Sequence, residues 1–436
     1  MDRSPSFPFS VDEKRSPGDG IDALPKKALR GAVGASDAYQ ATRAAVRLEG
    51  ATLRIGNRFL PVGRYREIAF LAAGHAAVSQ ALAVVQGLGA RLTQGLVCGP
   101  DPAPPEVPFR SVRVPKGWPG STPGVEAARL ALELAGGLGP DDLLLVLLSG
   151  GAVSSLAIPS DGRPASASAR WLEYLLAAGA SSREIALVEA IAFSGGVDGG
   201  IAEAAGAATV VPIVIDRGDG GALVGGSPTR RLTEPERAEA LGVIERSGKA
   251  PGSAGDPVPL VPAPLRPPLP MNIGRPVVVA TPDDALRGAA DAVGEKRFLP
   301  RLAERGYSGG PEAIALRLTE RVEEILRAEA SALTGRDRDG LVVFATSTLG
   351  VPEGLDEGPA IRRFLSEAQP RLRHRGARVA AFATSGGTDP TNPAGGSVAA
   401  GGPADGDGRR IQGVPMQPGV TDVGSLLLVV VPAPRP

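Results

Sequence analysis

The stretch Asp141–Gly162, DDLLLVLLSGGAVSSLAIPSDG, decides how the rest of the chain is read. Behind two acids stand six unbroken apolar residues, Leu143 to Leu148. That length suits a strand buried on both faces, as a parallel sheet flanked by helices requires. Ser149-Gly150-Gly151 follows where such a strand ends. In open α/β sheets ligands bind at strand carboxyl ends, because the loops converge there. Two glycines let successive backbone N–H groups point outward at an anion; they equally serve a tight turn that needs positive φ.

The same grammar recurs outward from this stretch. Glu67 to Ala73 (EIAFLAA) predicts a strand, and Gly74-His75 opens a helical run from Ala76 to Gln86. This is the start of a βαβ unit, whose helix N-terminus would present free N–H groups to a phosphate or carboxylate. Thr209 to Ile215 predicts another buried strand, ending in Asp216-Arg217-Gly218-Asp219. Acids there are candidates for Mg2+ or a substrate hydroxyl, or members of an ordinary Asp-Gly turn. Further strands are expected at Pro276–Ala280, Leu341–Ala345, Arg378–Ala383 and Ser425–Val431, with a polar glycine-rich loop, Thr384–Asn392, between the last two. One long helix is expected from Glu312 to Leu333. Strands alternate with helices, so the fold class is α/β with mainly parallel sheets. No short internal repeat stands out.

Residues 1–33 are polar and broken by Pro and Gly, and read as a flexible arm. Residues 34–247 read as a first α/β domain, 248–274 as a proline-rich, semi-rigid linker, and 275–436 as a second α/β domain. A chain of 436 residues has room for both cores. Lys+Arg and Asp+Glu both number 47, so no global charge draws the chain to nucleic acid or acidic lipid, and neither is an expected partner. Cys98 is the only cysteine, which excludes an internal disulfide and fits a reducing compartment. Two histidines, His75 and His374, cannot form a multi-histidine metal site. No signal-peptide core and no membrane-length apolar run is present, so the expected location is cytoplasmic.

In order, from about residue 37 to 431, these segments resemble the MOFRL-type glycerate 2-kinases, a family often called hydroxypyruvate reductases. Leu148-Ser149-Gly150-Gly151 matches the family's LSGGGS loop, and Pro159-Ser160-Asp161-Gly162 its P-x-E-G. Ala178-Gly179-Ala180-Ser181 with Glu184-Ile185 resembles its SGAxxxEIN helix start. Gly218-Asp219 and Pro228-Thr229 stand where the family has GDD and SGPT, and Thr388-Asp389 with Thr391-Asn392 resembles its GTDGxDGPTD loop. The resemblance implies two Rossmann-like α/β domains with an interdomain cleft, ATP and Mg2+ as cofactors, and phosphoryl transfer to the 2-hydroxyl of D-glycerate or a related small hydroxy acid. A homodimer is compatible with it. It implies catalytic roles for His75, Asp216 and Asp219, nucleotide contacts from Ser149, Gly150, Gly151, Thr388, Asp389 and Asn392, and Mg2+ ligation by Asp219 and Asp389.

The chain departs from this pattern at charged positions. His75 replaces the lysine of the family's GAGK, Glu189 and Ala190 stand where an arginine and a lysine are expected, and Asp198 replaces the lysine before Gly199-Gly200. The GGRNQE motif becomes Glu353-Gly354-Leu355-Asp356-Glu357. Phosphoryl transfer depends on positioning and on cations around the spreading charge. Losing cations and gaining acids therefore keeps an alternative open, a catalytically impaired pseudoenzyme acting as a binding or scaffolding subunit. A nicotinamide reductase is disfavoured, since Gly74-His75-Ala76 is no G-x-G-x-x-G fingerprint. His75 is either a ligand residue or a helix-start residue, and Lys116, beside Trp118 in KGWPG, is a candidate replacement cation. His374 reads as part of a solvated helix end and Cys98 as an inert core thiol.

Overall fold

The computed structural model describes residues 24–159, 165–218, 227–247, 268–270, 272–294, 298–307, 309–333, 339–347, 349, 351, 358–383, 396–400, 410–414 and 425–433. Three short strands, β1 (Val46–Glu49), β2 (Thr52–Ile55) and β3 (Arg58–Pro61), form an antiparallel sheet. A six-stranded sheet follows, built from β4 (Glu67–Ala73), β5 (Gln94–Gly99), β6 (Arg110–Arg113), β7 (Asp142–Leu148), β10 (Thr209–Ile215) and β11 (Val277–Ala280). All its ladders are parallel. A small antiparallel pair, β8 (Ala157–Pro159) with β9 (Phe193–Gly195), lies apart from it.

The predicted central strand is β7, buried at every position. Its side chains alternate between two helix-covered faces, as period two requires. Leu144, Val146 and Leu148 pack with Ala127, Ala128 and Ala131 of the helix Thr122–Gly136. Leu143, Leu145 and Leu147 pack with Ala77, Ala81 and Val84 of the helix Ala77–Leu88. At its amino end, Asp142 accepts hydrogen bonds from Gly139 N (2.7 Å), Glu67 N (3.1 Å) and Arg66 Nη2 (2.7 Å). Burial alone would push this carboxyl up, but the Arg66 side chain and the two backbone donors outweigh it and hold the carboxyl below its usual range.

The second large sheet has the order β12 (Phe298–Tyr307), β13 (Gly340–Ser347), β17 (Ser425–Pro432), β14 (Arg378–Ala383), β15 (Gly396–Ala400), β16 (Arg410–Val414). Here the expectation of parallel strands holds only for β12 and β13. β17 enters antiparallel between β13 and β14, and β14, β15 and β16 pair antiparallel in succession. No described helix joins those last three strands, and without a crossover consecutive neighbours run antiparallel. The protein is thus α/β in two domains, one sheet parallel and the other mixed.

Three details differ from the sequence reading. Residues 24–33, read as the end of a loose arm, belong to a helix, Leu24–Ala35. Val277–Ala280 pairs with β10 in the first sheet, so the chain crosses to the second sheet after it. The long helix predicted over 312–333 is broken into Pro311–Ala328 and Ala330–Leu333.

The first of these changes the architecture. One face of the second sheet is covered by the helices Pro311–Ala328 and Gly358–Leu372. The other is covered by Leu24–Ala35 together with Pro282–Val293, through Leu24, Ala28, Leu29, Ala285, Leu286 and Ala289. These two helices share the sequence Ala-Leu-Arg-Gly-Ala, at 28–32 and 285–289, a repeat the sequence reading passed over. A Cβ on Gly31 would lie 2.1 Å from Gly288 O, and one on Gly288 would lie 2.2 Å from Gly31 O. Glycine at both positions is what lets the backbones touch.

Candidate functional site at the switch point

Across the first sheet the strands run β11-β10-β7-β4-β5-β6. The chain therefore builds outward one way from β4, then reverses and builds the other way from β7. The crevice of such a sheet lies outside the carboxyl ends of the two strands flanking the reversal. Those ends are Ala73-Gly74-His75 and Leu148-Ser149-Gly150-Gly151, with Ala73 and Leu148 in register. Sequence reasoning thus found both loops that the topology brings together.

Their geometry is a stitch. Gly74 holds φ 111°, and a Cβ there would meet Ser149 O and Ser149 Oγ at 2.5 Å each. His75 N donates to Gly150 O (2.7 Å), Ala76 N to Ser149 Oγ (2.9 Å) and Ala77 N to Gly74 O (3.3 Å). Ser149 N and Oγ both donate to Ala73 O, at 3.1 and 3.4 Å. The expectation that this helix start offers free N–H groups to an anion is corrected for His75, Ala76 and Ala77, whose N–H groups are taken up within the protein. For His75 and Ala76 the neighbouring loop supplies the acceptors that a phosphate would have supplied.

His75 is buried, and its ring lies against Gly151, where a Cβ would meet Nε2 at 2.8 Å. Gly151 also holds φ 80° as the N-cap of the short helix Ala152–Leu156. Both features demand glycine. Of the nucleotide-contact set, Ser149, Gly150 and Gly151 are together, while Thr388, Asp389 and Asn392 lie outside the described residues.

One strand over, β10 pairs with β7 up to Val214 and Leu148, which sets Asp216 beside the switch point. Asp216 N donates to Ala280 O (2.9 Å), and its Oδ1 accepts from Gly218 N (3.0 Å) in a tight side-chain turn. Asp219 lies outside the described residues. No group of three or more His, Cys, Asp or Glu converges among the described ones.

Of the other candidate charges, Asp198 ties two segments together. Asp198, at φ 48°, accepts from Leu232 N (2.8 Å). Glu189 is buried in the helix Ser182–Ala192, whose N-terminus is a capping box of Ser181 and Glu184. That backbone bond to Ser181, with the Arg246 guanidinium nearby, holds the Glu184 carboxyl below its usual range. Lys116 lies close enough to Asp101 to favour its charged form, although burial dominates and raises that carboxyl. Trp118 packs against the apolar cluster of Val153 and Trp171. His374 contacts Glu323 at 3.2 Å on the surface, and burial pushes the Cys98 thiol up to about 12.

The second domain stands over this end of the sheet. Ala76, Ile215 and Ala280, at the carboxyl ends of the first sheet, belong to one continuous apolar cluster with Phe344, Phe382 and Leu426 of the second. Between the domains lies a cavity of about 550 Å³. The Gly179–Ser181 corner bounds it on one side, and Gly309–Glu312 with Leu349 and Arg363 on the other.

Over residues 25–251 the sequence matches the family model described as a domain of unknown function, DUF4147. No curated protein matches the chain. Among solved structures, glycerate kinase from Thermotoga maritima is similar, with TM-score 0.61 and 18% identity, over 94% of this chain and 100% of that one. The PH0495 protein from Pyrococcus horikoshii OT3 is similar too, with TM-score 0.60 and 16% identity, over 96% of this chain and 100% of that one. At these identities the likeness is one of fold.

Proposed function

This chain belongs to the DUF4147 family as a glycerate 2-kinase-like member, and from that premise we propose that it is a phosphotransferase acting on a small hydroxy acid. The proposed reaction is Mg·ATP-dependent transfer to the 2-hydroxyl of D-glycerate or a close relative, in the cleft between the two domains. One observation carries it: the chain reversal between β4 and β7 puts two glycine loops and Asp216 at the carboxyl end of the sheet, and the second domain stands over that end.

The residues divide in how well they suit the cofactors. Ser149 and the N–H groups of His75, Ala76 and Ala77 are occupied within the protein and do not fit a phosphate cradle, so no step is assigned to them. Asp216 fits a Mg2+ ligand, because it places a carboxylate, a hard oxygen donor, just beyond the carboxyl end of β10. By resemblance Asp219 and Asp389 would join it. A divalent cation there would neutralise charge on the transferring group.

The test is coupled ADP release from Mg·ATP across a panel of small hydroxy acids. Acid-dependent release that stops on chelation of Mg2+ and in Asp216→Asn is expected; release no faster than the buffer blank across the panel overturns the proposal. A second reading, a binding protein without turnover, is favoured by the stitched switch point and the buried His75. It requires a ligand-induced melting shift without ADP release. A ligand near 100 times its Kd adds about 2.7 kcal/mol.

A further inference from the structure

One largely buried cation has no role in the reaction proposed above. The segment Ser227–Leu232 lies against the turn Val197–Ile201. Gly199 N donates to Ser227 O (2.9 Å), Ile201 N to Pro228 O (3.1 Å) and Leu232 N to Asp198 Oδ1 (2.8 Å). Arg231 crosses the turn itself. A Cβ on Gly199, which holds φ 74°, would meet Arg231 Cγ at 2.9 Å and Leu269 Cδ1 at 3.0 Å. The stem is therefore held between the glycine and Leu269.

Its hydrogen bonding is incomplete. The side chain is 12% exposed, and Nη2 meets Glu203 Oε2 at 3.0 Å. Nε and Nη1 are buried with no hydrogen-bond partner among the described residues. Glu203 is 45% exposed, so its charge is well screened and compensates weakly. A guanidinium stays charged at any ordinary pH and carries only donors. Buried polar groups are nearly always paired, and an exception calls for a cause. Oxyanions form the short, charge-assisted bonds that such donors lack.

We infer that Arg231 is the binding residue of a small-oxyanion site, taking a carboxylate or phosphate group on Nε and Nη1. It stands over Gly199, next to Asp198, the position at which the family resemblance expects a lysine. The cation is thus delivered from residue 231 across the turn. The inference deepens the reading of an anionic substrate, but anion binding is measured without nucleotide and fails separately from turnover.

The experiment is thermal melting of the full chain with sodium phosphate or D-glycerate, against chloride at matched ionic strength. Wild type, Arg231→Met and Arg231→Lys are compared. At least one oxyanion is expected to raise the wild-type melting temperature beyond chloride; a phosphate-only effect assigns a phosphate site and a glycerate-only effect a carboxylate site. Arg231→Met should abolish the shift while the ligand-free melt stays level or rises, because an incompletely paired buried charge has gone. Arg231→Lys keeps a stem and a charge over Gly199, and should bind at least about tenfold more weakly through lost charged hydrogen bonds. The inference is overturned if neither oxyanion exceeds chloride in wild type, or if Arg231→Met shifts as wild type does. If Arg231→Met melts too low to compare, undiminished affinity in Arg231→Lys overturns it.

Discussion

Ser149→Ala separates the structural role of the serine loop from a ligand-binding one. The hydroxyl is buried, accepts from Ala76 N at 2.9 Å and donates to Ala73 O at 3.4 Å. Removing it strips the acceptor from a buried N–H, which costs about 1–3 kcal/mol. The 3.4 Å bond is long and adds little. The expected loss is therefore about 2 kcal/mol. At about 2–4 °C per kcal/mol for domains of this size, the melting temperature should fall by about 4–8 °C. Because the hydroxyl is already occupied, affinity for Mg·ATP by titration calorimetry should stay within about twofold of wild type, less than the tenfold that 1.4 kcal/mol represents. An unchanged melt together with lost nucleotide affinity would refute the stitch and return Ser149 to the phosphate.

Two further substitutions test the frame. Gly288→Ala places a methyl 2.2 Å from Gly31 O and 2.4 Å from Ala35 Cβ, so the two helices must separate. Overpacking of about 1–3 kcal/mol should exceed the roughly 1 kcal/mol gained in helix propensity, and the urea midpoint should fall; an unchanged or higher midpoint contradicts the close pairing. Asp142→Asn removes the charge that Arg66 Nη2 meets at 2.7 Å, and should cost about 1.5–3 kcal/mol near neutral pH. The folded carboxyl is held below its ordinary value, so its contribution is present above the unfolded pKa of about 3.9 and lost as pH falls through the lowered folded value. The gap between wild type and Asp142→Asn in denaturant melts should therefore be constant above about pH 5 and narrow below about pH 4; a gap that widens on acidification contradicts this assignment.

The first sheet was legible because its strands are apolar runs of strand length bounded by glycine, and burial on both faces leaves such runs few other uses. Both loops of the switch point followed from that, since each is the residue trio after a readable strand. Their mutual hydrogen bonding was not legible. Ser-Gly-Gly offers donors and acceptors in either case, and only the register of Ala73 with Leu148 decides that they face each other. The helix Leu24–Ala35 was missed because its partner lies some 250 positions away, and periodicity within one window carries no information about that. Its Ala-Leu-Arg-Gly-Ala repeat was the available signal. Arg231 was passed over for the same reason. Nothing local distinguishes it from Arg230, which pairs with Glu236 at 3.1 Å.

The positions where the resemblance expects cations have become places of packing and capping. His75 lies on Gly151, Asp198 holds the Leu232 amide, and Glu189 is buried in its helix. Turning His75 or Asp198 toward a phosphate would undo its contact with Gly151 or with the Leu232 amide. Rigidity at the base of the crevice is gained at the expense of donors there, so under the proposed function an anion would have to be met by other groups than these. The proposed cation site at Asp216 and the proposed anion site at Arg231 would both answer that requirement, because neither draws on the occupied backbone of the switch point. If the proposed transfer takes place, its electrostatics are re-sited in this way while the sheet order that defines the cleft stays as it is.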